Sequence, residues 1–231
     1  MKNEFILIQH TETTTPGTVL PWLKERGVNF KYLKMQNGDP FPQVEKNQKI
    51  ILCGGGVHVD QEDQYPWLKT EKEYLKAHVK AGNKMVGLCL GGQLCAQILG
   101  AKVYPHPKGW EIGWWDIHIR STPSLLGFEA SQKIKFSQYH RYVFEAPQDS
   151  IVIAHNDWWE PQAFLWEDQV LGFQFHPERD IGSSQRLALE KDLPTEGQTQ
   201  TKEEILSFTK ACQQPSEIWF KKVLDGFLLE S

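Results

Sequence analysis

The run Met85-Val-Gly-Leu-Cys-Leu-Gly-Gly-Gln-Leu-Cys-Ala-Gln-Ile-Leu-Gly100 sets one thiol, that of Cys89, between Gly87 and Gly91 in a Gly-x-Cys-x-Gly pattern. An apolar strand leads into this pattern, and an amphipathic helix with Leu94, Ile98 and Leu99 on its packing side follows. The same layout positions a serine in the Gly-x-Ser-x-Gly nucleophile elbow, where small flanking residues let the backbone bend and leave the reactive atom uncrowded. A thiol at a helix N-terminus is also expected to be favoured as its thiolate by the local backbone dipoles. A structural cysteine buried beside a glycine-rich junction would show the same local pattern. The other three cysteines lack the setting: Cys95 lies within the helix, Cys53 ends a strand and Cys212 falls in the C-terminal segment.

A base for that thiol comes much later, in Gly172-Phe-Gln-Phe-His-Pro-Glu178. Alternate side chains of an extended chain share a face, so His176 and Glu178 can project together while Pro177 helps end the strand. A carboxylate accepting from one imidazole nitrogen fixes the tautomer and leaves the other nitrogen free to take the thiol proton. A surface His-Pro-Glu turn would explain the second segment alone. Taken together, however, the elbow and the His-Pro-Glu strand end supply complementary parts of one Cys-His-Glu mechanism.

These residues need a scaffold, and the first half of the chain predicts one. Phe5 to Ile8, Val28 to Leu33, Lys49 to Cys53 and Met85 to Leu88 read as buried strands. Between them, Thr18 to Arg26 ends at Gly27, and Trp67 to Ala81 starts behind Pro66 and closes at Gly82, the punctuation of two helices. Strands alternating with helices imply parallel pairing, right-handed crossovers and helices on both sheet faces. The second half differs. Glu111 to Arg120, Ile134 to Phe144, Ser150 to His155 and Ala163 to Phe175 are β-branched and aromatic runs separated by turns, with Glu167-Asp168 as a tight hairpin, and they predict antiparallel strands. Leu193 to Thr201 reads as a loop, and Lys202 to Leu229 as a final helical segment interrupted at Pro215.

The expected architecture is therefore a three-layer α/β fold, with a mostly parallel central sheet and an added antiparallel portion. It forms a single domain over 1–231, with 182–231 as a C-terminal helical extension. The site falls at the carboxyl ends of the parallel strands. With 231 residues, 40% of them hydrophobic, the chain can bury one substantial core. A formal charge of −4 offers no positive field for phosphate backbones or anionic lipid, which argues against nucleic-acid and membrane partners. The N-terminal apolar run is too brief for a signal peptide and no stretch is long enough to cross a bilayer, so a cytoplasmic protein with reduced thiols is expected.

At these motifs the chain resembles the class I glutamine amidotransferase family, in particular its standalone glutaminase-type domains and the glutaminase of GMP synthase. Gly-Leu-Cys-Leu-Gly-Gly-Gln and Phe-Gln-Phe-His-Pro-Glu match the family's elbow and its Gln-Phe-His-Pro-Glu. Ile51-Leu-Cys-Gly-Gly-Gly56, Asp63-Gln-Tyr-Pro-Trp-Leu68, Glu111-Ile-Gly-Trp114 and Gln138-Tyr-His-Arg141 extend the likeness from about Phe5 to Glu178. The resemblance implies a flavodoxin-like fold and a mechanism without cofactor or metal. In it Cys89 attacks the glutamine γ-carboxamide, His176 serves as base and then as acid for departing ammonia, and Glu178 orients His176. The thioester so formed is hydrolysed to glutamate. It further implies an oxyanion hole from the backbone N–H groups of Leu90 and Gly55, substrate binding by Gln93, and backbone contacts from Tyr139, His140 and Arg141 to the substrate's α-amino and carboxylate groups. Gly56 departs from the family, standing where many members have proline, which loosens the loop that should present Gly55.

The motifs specify attack on a γ-carbonyl but not what leaves. A glutaminase serving a separate synthetase or acceptor subunit is the first reading. A γ-glutamyl peptidase with the same triad is the alternative, and a non-catalytic glutamine- or partner-binding subunit is a second alternative. Elsewhere, His58 and Asp60 could face one way as a metal pair, but two ligands without a third read better as loop residues. Asp60 to Asp63 suits the start of a helix. Trp110, Trp114, Trp115, Trp158, Trp159 and Trp166 are expected mostly in core packing, and His155-Asn-Asp157 in a turn.

Overall fold

The computed structural model describes residues 4–120, 126, 132–189 and 192–229. Its parallel half is built from β1 (Phe5–Gln9), β2 (Phe30–Lys34), β3 (Lys49–Leu52) and β4 (Lys84–Leu88), joined by helices α1 (Val19–Glu25) and α2 (Trp67–Lys80). Helix α3 (Leu90–Ile98) leaves β4 through Cys89. The antiparallel half comprises β5 (Val103–Pro105), β6 (Trp110–Ile119), β7 (Gln132–His140), β8 (Tyr142–Phe144), β9 (Ile151–His155), β10 (Ala163–Trp166) and β11 (Val170–Phe173). Among the described residues the main sheet, completed by β12 (Gly197–Thr199), runs β12-β6-β9-β10-β11-β4-β3-β1-β2, with β7 on β6 and a separate β5–β8 pair. β11 pairs in parallel with β4, so the strand that leads to His176 lies beside the strand that leads to Cys89. β1 sits between β2 and β3. The winding therefore reverses at β1, and ligand sites of open α/β sheets form at such a reversal.

Alternation along the strands explains the layers. Phe5, Leu7, Ile51, Val86 and Leu88 face one side, where Trp22 and Leu23 of α1 pack. Ile6, Ile8, Ile50, Leu52 and Met85 face the other, covered by Leu68 and Leu75 of α2 and Leu90 and Leu94 of α3. Period-2 apolar residues on both faces are the signature of a sheet covered on both sides. The Glu167–Asp168 turn has positive φ at both residues, 48° and 51°, as the central positions of a type I′ turn require, and the Gln169 N–H closes it on the Trp166 carbonyl at 2.9 Å.

The C-terminal part differs from its expected form in two places. Within the segment expected to be a loop, Gly197–Thr199 forms β12, parallel to β6 and anchored where the Gln200 amide donates to the Trp114 carbonyl and accepts from the Trp114 N–H. Helix α4 (Ile181–Leu189) precedes it, and α5 (Lys202–Leu224) follows. α5 passes through Pro215 without a break. Thr201 and Glu204 close a capping box at its start, and Trp219, Phe220, Val223 and Leu224 pack beyond the proline against Phe173 and Phe175. Burial of about 1.5–3 kcal/mol for each such side chain outweighs the roughly 3 kcal/mol a helical proline costs. Of the six tryptophans assigned mostly to the core, Trp114 is buried and the other five are half-buried. No helix among the described residues is long and apolar enough to cross a membrane.

Candidate active site

Cys89 stands at the junction of β4 and α3 with φ 51° and ψ −106°, a backbone conformation side chains seldom adopt. The bend requires its glycines. A Cβ on Gly87 would lie 2.4 Å from the Gly91 carbonyl oxygen, and one on Gly91 would lie 2.5 Å from that of Leu52. The Cys89 N–H donates to the Phe173 carbonyl at 2.8 Å, tying the elbow to β11.

Beyond β11 the chain crosses toward β7, where the His176 N–H donates to the Ser137 carbonyl at 2.8 Å. His176 Nδ1 then lies 2.8 Å from Glu178 Oε1. The Glu178 carbonyl accepts the Thr18 N–H at 2.9 Å, and the Pro177 carbonyl accepts the Ser216 hydroxyl at 3.2 Å, so α1 and α5 both hold the His-Pro-Glu segment. Gly17 (φ 51°) lets the chain pass: a Cβ there would sit 2.0 Å from the Glu178 carbonyl oxygen. Cys89, His176 and Glu178 all border one cavity of about 360 Å3 that also touches Gly55, Gly56 and Tyr139.

Burial sets the protonation of this group. It raises the Cys89 thiol to about 12, with the Glu178 charge adding and Arg179 and the Leu90 N–H opposing. The thiolate expected from the helix terminus is thus not the resting form, because desolvation outweighs the dipole. His176 is lowered below its usual value by burial, Glu178 opposing and Arg179 reinforcing. At neutral pH burial thus leaves both the Cys89 thiol and the His176 imidazole neutral. Cys95 and Cys53 are raised by burial too, and neither borders the cavity.

The residues assigned to substrate take different places. Gly54 packs against both His176 and Cys89, its Cβ position 2.9 Å from His176 Cε1 and 3.6 Å from Cys89 Cβ, and Gly55 follows at the cavity wall. Gln93 is buried, its amide donating to the Tyr142 carbonyl at 3.0 Å and facing Gln174 Oε1 at 3.4 Å. Tyr139 borders the cavity. His140 lies behind it, Nε2 on Glu111 Oε2 at 3.0 Å. The Arg141 guanidinium reaches the His106 carbonyl and Glu196. His58 and Asp60, weighed as a metal pair, instead clamp Tyr142: the imidazole stacks at 4.0 Å and the carboxylate accepts the hydroxyl at 3.1 Å.

Several contributors were given no role by the motif pattern, Glu111 among them although it stands in the Glu111-Ile-Gly-Trp114 run. Buried Glu111 accepts from Asn156, Gln162, Gln198 and His140 at 2.6–3.0 Å, which fixes the end of β7 where Tyr139 sits. His10, at the end of β1, reaches the Gly54 carbonyl through Nδ1 at 3.1 Å and Glu71 through Nε2 at 2.9 Å. Thr13, Thr14, Thr15, Arg179, Ser183 and Arg186 also line the cavity. Only the fold brings these partners together.

Comparison with known proteins bears on what such a site does. The family model for glutamine amidotransferase class-I matches residues 18–193. The chain is 33% identical over 162 residues to the glutamine amidotransferase-like protein chry6 of Gibberella zeae, covering 68% of this chain and 64% of that one. It is 28% identical over 159 residues to gamma-glutamyl peptidase 2 of Arabidopsis thaliana, covering 67% and 63%. The matched region thus spans just under two thirds of either relative. A glutamine amidotransferase from Thermotoga maritima shares the fold, with a TM-score of 0.86 over 99% of both chains at 22% identity.

Proposed function

The chain belongs to the class-I glutamine amidotransferase family, and on that footing we propose that it hydrolyses the γ-amide of glutamine through a thioester on Cys89. The observation that carries this reading is the strained Cys89 at the cavity wall together with the 2.8 Å His176–Glu178 pair. Cys89 Sγ attacks the γ-carbonyl as its proton passes to His176, whose positive charge Glu178 stabilises. The proton moves within the attack, because a thiol raised to about 12 supplies little free thiolate. The N–H groups of Leu90 and Gly55 hold the developing oxyanion. His176 returns the proton to the departing nitrogen, and water then releases glutamate from the thioester. Gln93, Tyr139, His140 and Arg141 shape the seat of the glutamate moiety, and the ammonia passes to a separate acceptor protein.

A second reading, γ-glutamyl peptidase, uses the same steps with a larger amine leaving. Its support is that Ser183, Arg186 and Leu187 of α4 line the cavity together with Cys89 and His176, which leaves room for a leaving group larger than ammonia. Cys89→Ala removes the nucleophile and should abolish turnover of glutamine and of γ-glutamyl dipeptides while the protein stays folded. Acid-quenched wild-type enzyme should carry a γ-glutamyl adduct on Cys89 by mass spectrometry. Full activity in the alanine variant would exclude the mechanism, and a folded wild-type chain inert toward every γ-glutamyl amide would favour a binding subunit.

A further inference from the structure

β12 lies beyond residue 193, where the family match ends, yet it joins the sheet beside the cavity-lining end of β7. Its Gly197, Gln198 and Thr199 run parallel to Trp110, Glu111 and Ile112 of β6, and the opposite edge of that same stretch pairs Glu111 with His140 and Ile112 with Tyr139. So close an approach requires glycine: Gly197 has φ 109°, and a Cβ there would lie 2.2 Å from the Trp110 carbonyl oxygen. Three strands therefore share one short register, with β6 between β7 and β12.

Side-chain bonds follow the same line. On Glu111 Oε1 the amides of Asn156 and Gln198 donate at 2.6 and 2.7 Å, and on Oε2 the imidazole Nε2 of His140 and the amide of Gln162 donate, both at 3.0 Å. A fully buried carboxylate keeps its place only while its lone pairs are filled, so each of these bonds matters. Of the four donors, Gln198 alone comes from the C-terminal extension. His140, itself buried, is held by Glu111, and its neighbour Tyr139 lines the cavity with its carbonyl 3.9 Å from Cys89 Sγ. A second tie from the extension, Glu196 to Arg141 at 3.5 Å, is solvent-exposed and contributes little.

We propose that β12 is part of the substrate seat: Gln198, acting through Glu111 and His140, sets the position of segment 139–141, so that recognition of the glutamate moiety depends on the C-terminal extension. This rests on the reading above that residues 139–141 receive that moiety, and it names what holds them there. Gln198 and Glu111 are positioning residues and touch no substrate. The segment they hold meets the α-amino and carboxylate groups, not the γ-carbonyl. Its displacement therefore weakens binding while the Cys89, His176 and Glu178 chemistry stays in place. In a merely structural role, by contrast, loss of Gln198 would slow every reaction of Cys89 alike.

Two chloromethyl ketones test this on the full-length protein: one bearing the α-amino and α-carboxyl groups of glutamate, and ethyl chloromethyl ketone, which lacks them. Each alkylates a thiol with loss of chloride, and labelling of Cys89 is followed by peptide mass spectrometry. The wild type should label faster with the first. In Gln198→Met, which keeps the length of the side chain and loses the donor, that preference should fall about tenfold, equivalent to roughly 1.4 kcal/mol, through the first reagent alone. KM for a γ-glutamyl amide should rise by a similar factor with kcat little changed. Gln198→Asn, whose amide is withdrawn by one carbon, should lose part of the preference. Thr199→Val is the control: its side chain points the other way along β12 and its hydroxyl makes no hydrogen bond among the described residues, so the wild-type preference should persist. An unchanged preference in both Gln198 variants, equal slowing of both reagents, or the same loss in Thr199→Val would overturn the role of Gln198 while leaving the thioester chemistry intact. A wild type that labels equally with both reagents would overturn the glutamate seat itself, and this proposal with it.

Discussion

At the scale of single residues, this site trades nucleophile strength for exclusion of water. Cys89 is 6% exposed and His176 3%, so burial leaves both uncharged at neutral pH, and in the proposed mechanism the ion pair for attack would form only as the substrate arrives. The Glu178 carboxylate is the main influence opposing burial at His176. Its removal has two separable effects. Glu178→Gln should lower kcat by about 10²- to 10⁴-fold, because an amide stabilises the imidazolium poorly. It should also move the acid limb of kcat/KM to lower pH, since the charge that raises the His176 pKa is gone. Measured pH profiles check the sign: a limb that moves upward, or a change confined to KM, would make Glu178 a substrate-binding residue. The convergence of Cys89, His176 and Glu178 on one cavity was legible because these residues are concentrated in two short segments, Gly87–Gly91 and Phe173–Glu178. Their protonation was not, because desolvation of Cys89 depends on what packs over it from β11 and the glycine loop.

At the scale of elements, the site depends on the glycine loop after β3, and the sequence pattern left open what holds that loop. Gly56, in place of proline, leaves it without a rigid φ, and a Cβ there would meet nothing within 4 Å. Rigidity enters instead from β1 and α2. His10 holds the Gly54 carbonyl through Nδ1 and is itself held by Glu71 through Nε2, both side chains fully buried, and although burial lowers the pKa of His10, Glu71 and the backbone carbonyls together raise it above its usual value. A doubly protonated His10 can donate to Gly54 and Glu71 at once. Glu71→Gln takes away the counter-charge, so His10 keeps one proton and one of its two hydrogen bonds weakens. The expected result is a loss of kcat on the order of tenfold, short of the 10²–10³ for an oxyanion donor removed outright, with KM little changed. A drop in melting temperature with kcat intact would reduce the pair to a structural role. No spacing rule links His10 to Glu71, which lie 61 positions apart, whereas the strands and helices that carry them were legible from alternation and caps. β12 was hidden for a related reason: Gly197–Thr199 has no apolar periodicity and is a strand only because β6 offers it an edge.

At the scale of the whole molecule, two apolar layers on either side of one sheet enclose several histidines, and their protonation couples global stability to pH. His10 has a raised pKa, so its contribution is complete below the unfolded value near 6.5 and is lost only as pH rises through its folded value. His78 on α2 behaves in the opposite sense. It is fully buried, its Nδ1 accepts from the Asn83 amide at 2.8 Å, and that amide is oriented by a second bond to the Glu45 carbonyl at 2.7 Å. The proton of the neutral ring therefore sits on Nε2, and burial lowers the pKa to about 4. Between pH 6.5 and 4 the unfolded chain takes up a proton that folded His78 refuses, so stability falls with pH by up to about 3 kcal/mol from this residue. His176 adds a loss of the same sign, while His10 adds none in this window. Urea midpoints of the wild type should therefore drop steadily from pH 7 to pH 4. His78→Leu, which keeps the site apolar and leaves Asn83 its bond to Glu45, should flatten most of that slope even though its midpoint at pH 7 is lower. Parallel slopes for the two proteins would show that acid lability originates elsewhere, with His176 as the next candidate to substitute.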